Sequence, residues 1–172
     1  DGRAEKYNVE GDFGKEIAVK ANAVELLKRE LDPRRKRKPM KHSFIFIGGG
    51  VGDSYQSVEK DYEFCPQVLN LLCNNGFPVH ILTKSTLVER DIQLLKEING
   101  KTKAIVSFSF STVDEHIAEI FEPGVPSPKE RLQTIKKLKD AGIACGMYLL
   151  PVIPFISDLP DKIENSIAEG IK

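Results

Sequence analysis

Three observations predict an α/β fold built on a parallel sheet. Strand-like apolar runs alternate with stretches of helical period from residue 41 onward. The connections between them are short, and glycines, hydroxyls and a lysine gather where the strands end. The strand-like runs lie at residues 43–47, 79–82, 104–110 and 143–150 and are rich in Ile, Val and Phe. Strand–helix–strand repeats of this kind imply right-handed crossovers between parallel strands. Four strands are too few for a closed eight-stranded barrel of about 250 residues, so they suit an open doubly wound sheet or part of a barrel.

Each element has its own reason. Residues 16–20 (EIAVK) read as a short extended piece and residues 21–31 (ANAVELLKREL) as a helix. The basic segment RRKRKP, residues 34–39, reads as a solvated linker, with nucleic-acid contact as the alternative. The first strand then runs directly into GGGVGDSYQSVEK. Phe64, Val68, Leu71 and Leu72 share one helical face, and Val88, Ile92, Leu95 and Ile98 share another. A shorter helix is expected over 113–121. Leu132, Ile135 and Leu138 form a third stripe, closed by Lys139-Asp140-Ala141-Gly142, which stops a helix well. A last helix should begin after Pro160, since proline suits a first turn.

The bulk numbers set the bounds. A chain of 172 residues suits one domain, with 1–40 carrying the extended piece, helix and basic linker and 41–172 the βα repeats. Net charge is zero, so global electrostatics supply no argument for nucleic acid or an anionic membrane as partner. No apolar run approaches the roughly 18 residues of a membrane span, and the start is not a signal peptide. The chain begins without Met and is read as a piece of something longer, of cytoplasmic location. Its three cysteines, Cys65, Cys73 and Cys145, are widely spaced and suit small buried apolar residues in a reducing compartment. They build no metal site. His42, His80 and His116 are scattered and read as structural.

The strand ends carry the chemistry. The first has Gly48, Gly49, Gly50 and Gly52 in five positions, more than a turn requires, followed by Asp53. A GxGxxG fingerprint would need a glycine at position 53, and no Lys-Ser or Lys-Thr follows at the spacing of a phosphate-cradling loop. Exposed backbone carbonyls plus a carboxylate suit a cation such as an amino group. The second end has Thr83, Lys84 and Ser85; Lys84 is either a solvated lysine, a Schiff-base former, or a cation for a carboxylate or ribose. The third has Ser107, Ser109 and Ser111 on one alternating face, facing ligand or solvent. The fourth ends LLPVIP. Glu122 and Arg131 flank EPGVPSPKER, either as an ion pair holding a loop or with Arg131 capturing an anion.

Taken in order, FGKEIAVKANAVELLKREL, GGGVGDSYQSVEK, ILTKSTLVERDIQLLKEI, VSFSFSTVDE, EPGVPSPKERLQTIKKLKDAGI and LLPVIPFISD resemble the radical SAM family. More narrowly they resemble the branch of spore photoproduct lyase and its relatives, often labelled DNA repair photolyases. The likeness runs from about residue 13 to 158. It implies a partial (β/α)6 barrel with parallel strands that binds S-adenosylmethionine beside a [4Fe–4S] cluster. It also implies a CxxxCxxC cluster loop, which these residues lack; that loop and the first strand are expected upstream of Asp1, and the chain by itself is expected to be inactive.

The same resemblance implies roles by position. Gly48, Gly49 and Gly50 would receive the methionine ammonium, with Asp53 just beyond. Lys84 and Ser109 would contact carboxylate or ribose, Ser107 being a less favoured substitute, and Arg131 would partner the carboxylate. Val152 to Pro154 would lie beneath adenine. The family form of the glycine loop resembles GVTDPYQPVE; Val51, Asp53, Tyr55, Gln56 and Glu59 match it, while Gly52, Ser54 and Ser57 depart from it. The chemistry implied is a 5′-deoxyadenosyl radical abstracting hydrogen from a substrate, DNA or another, with an electron donor for the cluster. No catalytic residue is assigned. A Lys84 Schiff-base aldolase and a nucleic-acid-binding module using residues 34–38 stand as alternatives.

Overall fold

The computed structural model describes residues 17–34, 41–48 and 52–171. Four parallel strands form one sheet: β1 (Ile45–Ile47), β2 (Val79–Thr83), β3 (Ala104–Phe110) and β4 (Ala144–Leu149). Their order in the sheet is their order in the chain. A doubly wound sheet reverses direction at a switch point; this one does not, so right-handed crossovers put successive helices on one face. That is the winding of a barrel wall, and the α/β expectation of a partial radical-SAM-type barrel holds.

Helix α1 (Ala23–Leu31) packs against α3 (Phe64–Asn74), which follows a single turn, α2 (Glu59–Tyr62). Then come α4 (Ile92–Lys101), α5 (Glu115–Phe121), α6 (Pro128–Asp140) and α7 (Pro160–Ile171). The core lies between these helices and the covered face of the sheet. Val79, Ile81, Ala104, Val106, Phe108 and Phe110 meet Leu69, Leu72, Leu95, Ile98, Ile135 and Leu138. Burying each large side chain contributes about 1.5–3 kcal/mol, which makes β2 and β3 the best-anchored strands.

The structure corrects several boundaries. Residues 43 and 44 stay outside β1, and Phe44 is exposed. The buried line of α3 is Cys65, Leu69, Leu72 and Cys73; Phe64, Val68 and Leu71 flank it at intermediate burial. The expected stripe was one position out because cysteine counts as an apolar core residue here. Val88 sits in a 3-10 turn (Thr86–Asp91) before α4, yet stays buried with Leu95 and Ile98. Helix α5 starts late because Asp114 caps it, accepting from the Ile117 amide at 3.2 Å. The serines at 107, 109 and 111 are buried and do not face solvent. Gly142, at φ 79°, terminates α6 as expected.

Candidate functional site at the carboxyl ends of the strands

Asp53 lies in the segment between β1 and α2. Its carboxylate accepts from the Tyr55 amide at 2.8 Å, the Thr83 hydroxyl at 2.8 Å and the Lys84 amide at 2.7 Å. It therefore ties the glycine loop to the end of β2 rather than standing free for a ligand cation. Gly48 is closely packed: a Cβ there would lie 3.0 Å from the Leu82 carbonyl oxygen and 3.1 Å from Leu82 Cβ, so β2 would have to give by a few tenths of an ångström. Gly49 and Gly50 lie outside the described residues, as does most of the basic run. Arg34, its first member, grips Asp32 at 3.0 and 2.9 Å.

The rest of that loop is locked from the other side. Glu59 accepts from the amides of Phe64 (3.0 Å) and Cys65 (2.8 Å), satisfying the start of α3, and from Arg90 at 2.8 Å. Arg90 also bonds Asp91, which accepts from the buried Tyr55 hydroxyl at 2.9 Å. Tyr55 and Glu59, which match the family motif, thus hold the loop's shape. Burial chiefly, with the Glu59 and Asp91 carboxylates beside it, pushes the Cys65 thiol far above its ordinary range.

Lys84 leaves the end of β2 and points along the rim. Its ammonium donates to Glu122 Oε1 at 2.5 Å and to Ser109 Oγ at 3.2 Å, with 31% of the side chain still exposed. Ser109 in turn donates to the Leu150 carbonyl at 2.7 Å, joining β3 to the loop after β4. Glu122 closes α5 and divides its carboxylate: its second oxygen accepts from Arg131 at 2.5 Å. Arg131 is fully buried, donates to the Ser109 carbonyl at 2.6 Å and stacks on the Phe110 ring, 4.4 Å from its centroid. Burial pushes the Glu122 carboxyl up, but the bond from Lys84 and the charge of Arg131 outweigh it and hold the group below its ordinary value.

Local sequence explains this convergence. Ser127 and Glu130 form a capping box, with Pro128 in the first turn, so α6 starts at a defined point. Arg131, one residue later, is thereby aimed into the core at Glu122. The two readings of the Glu122–Arg131 pair resolve in favour of an ion pair; Arg131 is sealed away from any ligand. Lys84 is engaged by both Glu122 and Ser109. What the spacing did not show is that Glu122, read as a partner for Arg131 alone, also holds Lys84. Only its position between two cations distinguishes it, and no local motif announces that.

Ser107 belongs elsewhere. It shares a hydrogen bond with His80 Nε2 at 2.9 Å, lower on the same face of the sheet. Burial lowers the His80 pKa and favours the neutral ring. His42 stacks on Phe77 and is also structural. The three cysteines do not converge: Cys65 and Cys73 are buried within α3, and Cys145 lies on β4. Among the described residues no cluster of His, Cys, Asp or Glu could hold a metal ion, so these side chains do not fit an iron–sulfur cluster. The Lys84 ammonium at the rim has the chemistry to meet the carboxylate of an amino-acid-like ligand, while Ser109, whose proton goes to the Leu150 carbonyl, could only accept.

A parallel sheet wound in chain order, with its polar cluster on the carboxyl rim, defines a barrel-type α/β protein. The Radical SAM superfamily model matches residues 9–166, and the chain belongs to that superfamily. An uncharacterized protein of Mycobacterium tuberculosis is 29% identical over 95% of this chain and 46% of its own length. One of Methanocaldococcus jannaschii is 28% identical over 89% of this chain and 53% of its own. A solved mutant structure of spore photoproduct lyase shares the fold, with a TM-score of 0.54 and 16% identity over 79% of this chain and 37% of that one. The chain thus spans about half the length of the curated relatives it matches. No helix among the described residues is long and apolar enough to cross a membrane.

Proposed function

We propose that this chain forms the part of a radical SAM enzyme that holds the amino-acid end of S-adenosylmethionine, within the branch that includes spore photoproduct lyase. The observation that carries the reading is Lys84: a cation fixed at the carboxyl rim beside Ser109, in a chain whose superfamily match covers nearly all its length. In this reading Lys84 binds the ligand carboxylate, and the remaining lone pair of Ser109 accepts from a ribose hydroxyl. Backbone oxygens of Gly48, Gly49 and Gly50 receive the ammonium. Asp53 and Arg131 are positioning residues, the first for the glycine loop and the second for Glu122. Val152 to Pro154, in the loop tied to Ser109 through Leu150, form an apolar wall beside the base.

When bound and reduced through an iron–sulfur cluster, S-adenosylmethionine supplies a 5′-deoxyadenosyl radical that abstracts hydrogen from a substrate. The cluster, its electron donor and the substrate, a nucleic-acid lesion included, belong to the whole protein and to this proposal. The test has two arms. Calorimetric titration of S-adenosylmethionine should give binding that Lys84→Met weakens by about ten- to hundredfold, the range of a charge-assisted hydrogen bond. Equal affinity in the variant overturns the assignment of Lys84. The product of the natural gene, reconstituted anaerobically with iron and sulfide and then reduced, should release 5′-deoxyadenosine; no retained iron and no product would sink the activity.

A further inference from the structure

Charges alternate along the rim of this site. Asp53 is bonded to the Lys84 amide, Glu122 to the Lys84 ammonium, and Arg131 to the far oxygen of Glu122. Two cations and two carboxylates leave the cluster with no net charge. Arg131 is fully buried, and its Nε has no hydrogen-bond partner among the described residues. Its charge is therefore met chiefly by Glu122 and the Phe110 ring rather than by solvent. Lys84 is the member that reaches the rim, and Glu122 and Ser109 already occupy two of its three N–H groups.

We propose that Glu122 is a specificity-determining residue: by bridging Lys84 and Arg131 and, together with Asp53, bringing the cluster to no net charge, it makes the rim accept a zwitterionic amino-acid end and reject doubly charged phosphate. The inference rests on the reading of Lys84 as the carboxylate-binding group and extends it to a residue with no assigned role. A zwitterion brings an ammonium and a carboxylate together, so it adds no net charge to a neutral cluster. A phosphate dianion brings two negative charges toward Glu122 and Asp53 and, among the described members of the cluster, meets only the exposed part of Lys84. Repulsion between like charges at such separations outweighs one hydrogen bond. A phosphate-binding rim on a barrel normally offers backbone N–H groups or an unopposed cation, and here the Lys84 amide is already taken by Asp53.

The test uses inorganic phosphate as the probe. Phosphate binding is measured by ³¹P NMR titration on the protein, on Glu122→Gln, and on the double variant Glu122→Gln with Lys84→Met. Glu122→Gln keeps the side-chain shape and removes one negative charge, so phosphate should bind at least about tenfold more tightly than to the parent. The double variant should lose that gain. Unchanged phosphate affinity in Glu122→Gln overturns the proposal, as does a gain that survives loss of Lys84. Should Glu122→Gln fail to fold, Glu122→Asp decides: it keeps the charge and breaks the double bridge, and phosphate admitted by it would show that charge is not the barrier. If phosphate responds as expected while S-adenosylmethionine binds neither protein, the role of Glu122 stands and the ligand assignment falls.

Discussion

Arg131 and Lys84 contribute unequally, and exposure decides the difference. Arg131 is buried completely and meets a carboxylate, a carbonyl and an aromatic face. Lys84 keeps about a third of its side chain in water, so its pairing with Glu122 is partly screened. Removing one partner of a buried pair strands the other charge, which costs about 3–5 kcal/mol. Arg131→Met should therefore lower the unfolding free energy by roughly that amount. Lys84→Met should cost well under half as much, while weakening the proposed binding of S-adenosylmethionine by the ten- to hundredfold given above. Urea denaturation of both variants checks the pair, and equal losses would contradict this division. At this scale the sequence was partly legible. Lys84 and Ser109 stood out because hydroxyls and a lysine at strand ends are unusual; Glu122 was legible as a partner for Arg131, whereas its bond to Lys84 could not be read before the strand ends were placed.

At the scale of elements, the register between β3 and β4 explains a glycine that no turn requires. Ser107 pairs with Gly146, and a Cβ on Gly146 would lie 2.9 Å from the Ser107 hydroxyl. The missing side chain leaves the hydroxyl free to bond His80 on β2. Gly146→Ala should turn Ser107 away from His80 and cost about 1 kcal/mol, the usual net value of one hydrogen bond. In a Ser107→Ala background the same change should cost much less, because nothing remains to be displaced. Additive losses in denaturation midpoints would refute the coupling. The helices were read from their periods, and their approximate spans held. The face of α3 was misjudged because Cys65 and Cys73 took core positions that Phe64 and Leu71 were expected to fill. Which apolar residue is innermost depends on the neighbouring α1 and α4, which no single helix reveals.

Over the whole molecule, acid should be the weak side of stability. Hydrogen bonds and charge hold Glu122 and Glu89 below the ordinary carboxylate range despite burial that opposes it. The Ile117 amide, chiefly, does the same for Asp114. Each group therefore binds fewer protons folded than unfolded just above its folded pKa. Its contribution is complete above the unfolded value, near pH 4–4.5, and is lost as pH falls through the lower folded value. Denaturation midpoints should be flat above about pH 6 and fall steadily from about pH 5 downward. Glu89→Gln should flatten that fall, since Glu89 joins the 3-10 turn to Thr134 and Lys137 of α6. A fall as steep in the variant as in the parent would remove Glu89 from the account.

The sheet's other face carries partly exposed aromatic side chains. Phe46, His80 and Tyr148 lie in a row across it, Phe46 and Tyr148 about half exposed, with Phe46 edge-on to His80 at 5.4 Å. By itself the sequence determined the parallel α/β class, the order of strands and helices, and the rim on which polar residues collect. Those follow from hydrophobic period and chain connectivity, which are local properties. Only the tertiary structure decided that the strands wind without a switch point and that Gly48 packs closely against Leu82. It alone also made Glu122 the residue between Lys84 and Arg131, because each of these depends on backbones brought together from distant parts of the chain.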